Sequence, residues 1–244
     1  MNPVKEVVDE VRDFVEAALV KPVPGRPEDP PELRRRRRTV VALTLALGAV
    51  LLWWSLALPP GDPSFYYGTA VLAVVWAGGA LASGPLRRGR ANTREGTRYV
   101  VPVVQPVALG LLLLALFLAG ALLVSRVPLL AEPVEGLLDH ARAGVLWVVL
   151  LITVVNGVAE ELFFRGALYA ALPRHWAVVG NVVVYAVVTV AVGVPLLVFA
   201  AVLIGVVCSL QRRVTGGVLA PIITHITWSA GMLLLLPPLM ELLR

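Results

Sequence analysis

The chain has 244 residues, of which 58% are hydrophobic and only 15% charged, and its mean hydropathy is +0.83. Soluble chains hold about 45–50% apolar and about 25% charged residues, so an ordinary soluble domain is excluded; the apolar residues also come in runs, as membrane spans require. The net charge of +5 would suit a nucleic-acid partner, but the arginines sit at span ends and not on a folded basic face, so they read as topogenic and headgroup contacts and no nucleic acid is expected.

In chain order, Val4, Val7, Val8, Val11, Phe14, Val15 and Leu19 recur at helical spacing, with Glu6, Asp9, Glu10, Asp13 and Glu16 on other faces. This predicts an amphipathic cytosolic helix within residues 1–21. Its acidic face suits a protein partner, or docking onto the spans, better than an anionic membrane surface. Residues 21–30, KPVPGRPEDP, cannot hold a helix; with the arginines up to Arg38 they lead into a Pro/Arg-rich linker placed over 22–38. The charged start has no signal-peptide apolar region, so the first apolar run is expected to be kept as a span.

Seven spans follow, at about 39–58, 65–83, 101–124, 144–172, 177–193, 195–211 and 217–236, grouped as an N-terminal transmembrane region 39–143 and a second region 144–244. Loop charge tests this count independently of hydropathy. Arg34–Arg38, then Arg87, Arg88, Arg90, Arg94 and Arg98, then Arg174, then Arg212 and Arg213 fall on every second connection, while Asp62, Glu132, Glu135 and Asp139 occupy the others. The fold class predicted is an all-α, polytopic membrane helix bundle with its N-terminus inside. Lysine occurs only at Lys5 and Lys21 against many arginines, alanines, valines and glycines, which suggests a GC-rich bacterium and so its plasma membrane. The one cysteine, Cys208, excludes an intrachain disulfide and any CxxC metal knuckle.

The fourth span carries Asn156, Glu160, Glu161 and Arg165 in apolar surroundings. A charged side chain at the bilayer centre costs about 2.5–3.5 kcal/mol, so two adjacent carboxylates need compensation. Glu161 and Arg165 are one turn apart and can pair. Glu160 points about 100° away and has no charged partner in its own segment, which makes it the candidate functional group. Asn156 shares its face, and Gly157 leaves room for another helix or a water. In the last span His225 and Ser229 share a face. At about 1.5 Å per residue, Glu160 and His225 lie roughly 18 Å and roughly 12 Å from the inside ends, so one cavity could hold both. Asn181, Tyr185 and Thr189 form a polar stripe in the fifth span; interhelical hydrogen bonding explains it equally well. Ser209, Gln211 and Cys208 carry little signal.

EELFFR in one span, the turn PRHW and the later segment RRVTGGVLAPIITH resemble the intramembrane endopeptidases of the CAAX-protease and bacteriocin-processing (CPBP) family, over residues 144–236. The resemblance implies a helical membrane fold with an internal cavity and hydrolysis of peptide bonds in membrane-associated substrates by glutamate-activated water. By motif, Glu160 would be the catalytic base, Glu161 and Arg165 a supporting pair, and His225 a ligand or transition-state stabiliser. Asn156, Tyr185, Thr189 and Ser229 would support the cavity. Whether the family uses zinc or another divalent metal, with Glu160 and His225 among its ligands, or glutamate and histidine alone, the sequence leaves open.

Two positions depart from the family pattern. The histidine four residues after the aromatic of the second motif is Thr189, and the Asn or Asp four residues after His225 is Ser229. Threonine is a poor zinc ligand beside imidazole and no base near neutral pH. A non-catalytic relative that binds membrane proteins or peptides is therefore the alternative. A transporter using Glu160 as a proton site ranks last, since the sequence has no inverted repeat.

Overall fold

Five of the helices begin on proline, at Pro3, Pro31, Pro63, Pro128 and Pro195, a residue whose missing N–H and fixed φ suit the first helical position. The computed structural model describes residues 3–23, 29–92 and 99–243. Helix α1 (Pro3–Val15) runs into a π-helical turn, Glu16–Val20. The spans follow as α2 (Pro31–Leu56), α3 (Pro63–Ser83) and, after a two-residue antiparallel ladder of β1 (Ala91–Asn92) with β2 (Tyr99–Val100), α4 (Val104–Val124). Helix α5 (Pro128–Arg142) leads to α6 (Leu146–Glu161), a π-helical stretch Leu162–Leu168 and the closing turn α7 (Tyr169–Ala171). Three helices complete the chain: α8 (Ala177–Val190), α9 (Pro195–Thr215) and α10 (Leu219–Leu242).

Six of these stretches are long and apolar enough to cross a bilayer, and α8 is a seventh, shorter apolar helix. Side chains such as Leu43, Val74 and Leu123 stay exposed on the outside of the bundle, where lipid and not protein is their solvent. The protein is a multi-pass membrane helix bundle, as the hydropathy pattern predicts. With 14 residues, α8 reaches only about 21 Å at 1.5 Å per residue, short of the roughly 30 Å hydrocarbon core.

Several boundaries differ from the sequence-based expectation. Helix α2 starts at Pro31, eight residues before the predicted span, so the arginine run lies inside a helix and not in a linker. Proline at the first position and arginine's good helix propensity account for this. Of the expected linker, residues 24–28 lie outside the described residues, as do Arg94 and Arg98. The acidic connection holding Glu132, Glu135 and Asp139 is α5, a helix despite Pro133. The amphipathic N-terminal helix is present, but Val7, Val8 and Val11 are exposed; the bundle buries Ala18 of the following π-helical turn.

Alternation of the spans places opposite charges at opposite ends. At one end, Arg142 bonds Glu135 at 2.6 Å, Asp139 at 3.1 Å and Glu241 at 3.5 Å, and the Glu135 hydrogen bond is the main cause raising its pKa above the usual arginine value. His140 Nε2 meets Leu58 O there, at 2.9 Å. The other end gathers the starts of α2 and α8 and the ends of α3, α7 and α9. Two arginines expected at headgroups are instead buried at that end: Arg37 is 2% exposed and Arg212 4%. The core sits between α3, α6 and α9, where Trp76 packs on Phe163 and Phe164 beside Ile204.

Candidate active site

The π-helical stretch Leu162–Leu168 follows directly on Glu160 and Glu161 and is almost wholly buried. Irregular turns of this kind free backbone carbonyls and recur at functional sites. Here two such carbonyls are recovered by neighbouring spans. Asn181 of α8 donates to Phe164 O at 2.5 Å, and Arg212 Nε of α9 donates to Arg165 O at 2.7 Å. Ser209 in turn donates to Asn181 Oδ1 at 3.1 Å. These residues hold the carboxylate-bearing segment in place, and the sequence signal that could have found them was the polar run Ser209, Gln211 and Arg212 inside an apolar helix.

Glu161 is fully buried and its Oε1 accepts two hydrogen bonds, from Arg165 Nη1 at 2.9 Å and from His225 Nδ1 at 2.8 Å. The expected Glu161–Arg165 pair is therefore present, and His225 joins it. Glu160 is half-buried and receives the Tyr185 hydroxyl at 2.7 Å on Oε2. The Arg165 guanidinium lies 4.7 Å from the centre of the Tyr185 ring, so the Glu160–Tyr185 and Glu161–His225 pairs share one arginine. That arrangement spreads one buried positive charge over two carboxylates, which an isolated pair in a low-dielectric interior could not do.

Gly157, one turn before Glu160, faces the last span. A Cβ there would lie 3.9 Å from both His225 Cδ2 and Ser229 Oγ, at ordinary van der Waals contact, so the histidine and serine stand directly against this face of the glutamate-bearing helix. Asn156 donates to Ile152 O at 3.0 Å, while its Oδ1, Ser229 Oγ and Glu161 Oε2 are buried without a hydrogen-bond partner among the described residues. Buried polar atoms of this kind are ordinarily satisfied by water or a ligand. The structure thus gathers Asn156, Glu160, Glu161, Arg165, Tyr185, His225 and Ser229. Thr189 contributes less: its hydroxyl donates to Tyr185 O at 2.9 Å, within its own helix.

Residues 142–231 match the family described as type II CAAX prenyl endopeptidase Rce1-like. Over this stretch, somewhat more than a third of its length, the chain is similar to the CAAX-protease family. The matched stretch opens at the end of α5 and closes in α10, enclosing every residue just described. No curated protein and no solved structure matches the chain.

A catalytic zinc takes three protein ligands and an open fourth position. In the matched segment Glu160 and His225 belong to different hydrogen-bonded pairs, and among the described residues no three His, Cys, Asp or Glu side chains come together as a metal site. With threonine at 189, the donor set does not fit a zinc centre.

Proposed function

We propose that the protein is an intramembrane endopeptidase that hydrolyses peptide bonds of membrane-associated substrates near the cytosolic face, with Glu160 activating the water. The observation that carries this reading is the buried Arg165–Glu161–His225 chain beside a Glu160 held on one oxygen by Tyr185. The second Glu160 oxygen is the base. It takes a proton from water as the water oxygen bonds to the carbonyl carbon, and the negative charge passes to the carbonyl oxygen.

Glu161 accepts from His225 Nδ1 and so fixes the orientation of the ring, as a carboxylate does for a catalytic histidine elsewhere. The Ser229 hydroxyl, and His225 Nε2 when the ring carries both protons, then serve as donors to the developing oxyanion. Glu160 returns its proton to the leaving nitrogen as the C–N bond breaks, giving a carboxylic acid and an amine. Every proton moves between groups of this chain, water and substrate, and no step requires a metal.

On this reading residues 144–244 form the catalytic-type region, residues 39–143 the supporting transmembrane region, and the N-terminus and the arginine-rich end face the cytosol of a bacterial plasma membrane. The exposed valines of α1 are left for a protein partner. The test is time-dependent cleavage of membrane-anchored peptides by purified protein, compared with Glu160→Gln. Loss of cleavage in the variant supports the peptidase; equal rates reject it.

Thr189, with its hydroxyl committed to Tyr185 O, favours one second reading, a non-catalytic relative that holds membrane peptides in the same cavity. It predicts binding without cleavage in the parent and unchanged binding in Glu160→Gln.

A further inference from the structure

The arginines at the end of the bundle where α2 begins and α9 ends converge on a cavity. Arg34, Arg37, Arg38, Arg87, Arg174 and Arg212 all line one cleft of about 120 Å³. A single water needs only roughly 10–15 Å³ measured this way, so the cleft admits a multi-atom group. Among the described residues Asp29 is the one acidic residue in its lining, and its carboxylate is taken by Arg37 Nε at 2.7 Å.

Three of the arginines build the walls. Arg37 also donates to Ser83 Oγ at 3.2 Å and Pro85 O at 2.8 Å. Arg212 donates to Arg165 O and stacks on the Tyr169 ring. Arg38 Nε reaches Ala171 O at 3.4 Å, neutralising the carbonyl end of α7. The other three, Arg34, Arg87 and Arg174, are exposed side chains for which no carboxylate partner stands among the described residues. Ala177, at the start of α8, completes this side; that helix has no side-chain cap, so its first-turn N–H groups and positive dipole end add to the field.

A concave site with this cationic excess, at the level where spans end, matches the phosphate of a lipid headgroup, and the arginine fork matches phosphate oxygens two at a time. We propose that this cleft binds a phosphate group, of the kind carried by an anionic phospholipid headgroup. Its position at the membrane interface favours lipid as the source over a soluble phosphate ester. The site goes beyond the peptidase reading and does not depend on it, because Glu160, Glu161 and His225 take no part in its lining.

The test is native mass spectrometry of the full chain in detergent, with phosphatidylglycerol or phosphatidylcholine added. Three proteins are compared: the parent, the Arg87→Gln/Arg174→Gln pair, and an Arg35→Gln/Arg90→Gln pair that removes the same charge outside the cleft. The parent is expected to retain phosphatidylglycerol over phosphatidylcholine. The cleft pair should weaken that retention on the order of 30-fold and the outside pair by less than about threefold. If the cleft pair does not fold, Arg174→Gln alone, in an exposed turn, gives the same reading.

Inorganic phosphate supplies the second arm. Retained phosphatidylglycerol that millimolar phosphate does not displace assigns the lipid source. Phosphate bound by the parent, lost in the cleft variant and unaccompanied by any lipid preference keeps the phosphate site and assigns a soluble source. Equal retention of the two lipids with no phosphate binding, or equal losses in both variant pairs, would overturn the proposal.

Discussion

His225 Nδ1 lies 2.8 Å from Glu161 Oε1, so the histidine of the last span is tied to the second glutamate of the EExxxR segment and not to the first. The two residues are 64 positions apart in the chain, and their bond joins α10 to the end of α6 inside the bundle. The first glutamate is left with Tyr185 on one oxygen and is the less buried of the pair, at intermediate against full burial. The adjacent carboxylates therefore have different surroundings, and different roles follow.

Glu160→Gln should lower cleavage of a membrane-anchored peptide about 10²- to 10⁴-fold, the usual contribution of a positioned general base, with the thermal unfolding midpoint in detergent nearly unchanged. Glu161→Gln should instead lower both activity and unfolding midpoint, because it uncouples Arg165 from His225. Equal effects of the two substitutions on stability would reject this division of roles.

Tyr185→Phe removes the hydroxyl that bonds Glu160 and leaves the ring over Arg165 in place. A hydrogen bond to a charged group contributes about 1.5–3 kcal/mol. Kinetic measurements are expected to show kcat reduced with KM little changed, since on the proposed mechanism the hydroxyl orients Glu160 and touches no substrate. A rise in KM alone would mean that Tyr185 lines the peptide-binding surface.

Arg165→Ala leaves Glu161 buried with His225 as its remaining partner. Breaking a buried pair by removing one member costs about 3–5 kcal/mol, so the variant should unfold at lower denaturant concentration, with Arg165→Lys recovering only part of the loss. Arg165 Nε and Nη2 have no hydrogen-bond partner among the described residues, and a lysine would give up only the Nη1 geometry and the stacking on Tyr185. An unfolding curve unchanged by Arg165→Ala would show that His225 alone compensates Glu161.

The bundle was legible in the sequence because lipid imposes long uninterrupted apolar runs, and the positive-inside count paired those runs correctly with the ends of the structure. Glu161 with Arg165 was legible too, being a local i,i+4 relationship. His225 with Glu161 and Tyr185 with Glu160 were not, because spacing fixes the face of a helix but not which neighbour it meets. The same limit hid Arg37 and Arg212. Both read as loop or headgroup arginines, yet each is drawn inward by acceptors that lie far off in the chain, Ser83 and Pro85 for one, together with the nearer Asp29, and Arg165 O for the other. The π-helical stretch left no sequence mark beyond the polar residues of α8 and α9 that satisfy it.

Chelation tests the donor set. With Glu160 and His225 in separate pairs and no third His, Cys, Asp or Glu joining them among the described residues, cleavage by the parent is expected to persist after dialysis against a strong chelator, and bound metal by elemental analysis should not change between the parent and His225→Ala. Loss of activity on chelation with recovery on zinc would show that Glu160 leaves Tyr185 when metal binds.

Gly48→Ala tests the packing beneath the site. A Cβ at Gly48 would run into the Trp76 ring, which is itself 1% exposed and packs on Phe163 at 4.5 Å between ring centres. The ring cannot retreat without displacing Phe163 and Phe164, two and three residues after Glu161, so the clash is transmitted to the segment that carries both carboxylates. Overpacking of a filled core costs about 1–3 kcal/mol, and that loss should appear as a lowered unfolding midpoint accompanied by reduced cleavage. Pairing Gly48→Ala with Trp76→Phe, which shortens the ring, should restore part of both; if the double variant is no better than the single one, Gly48 matters for α2 alone and not through Trp76.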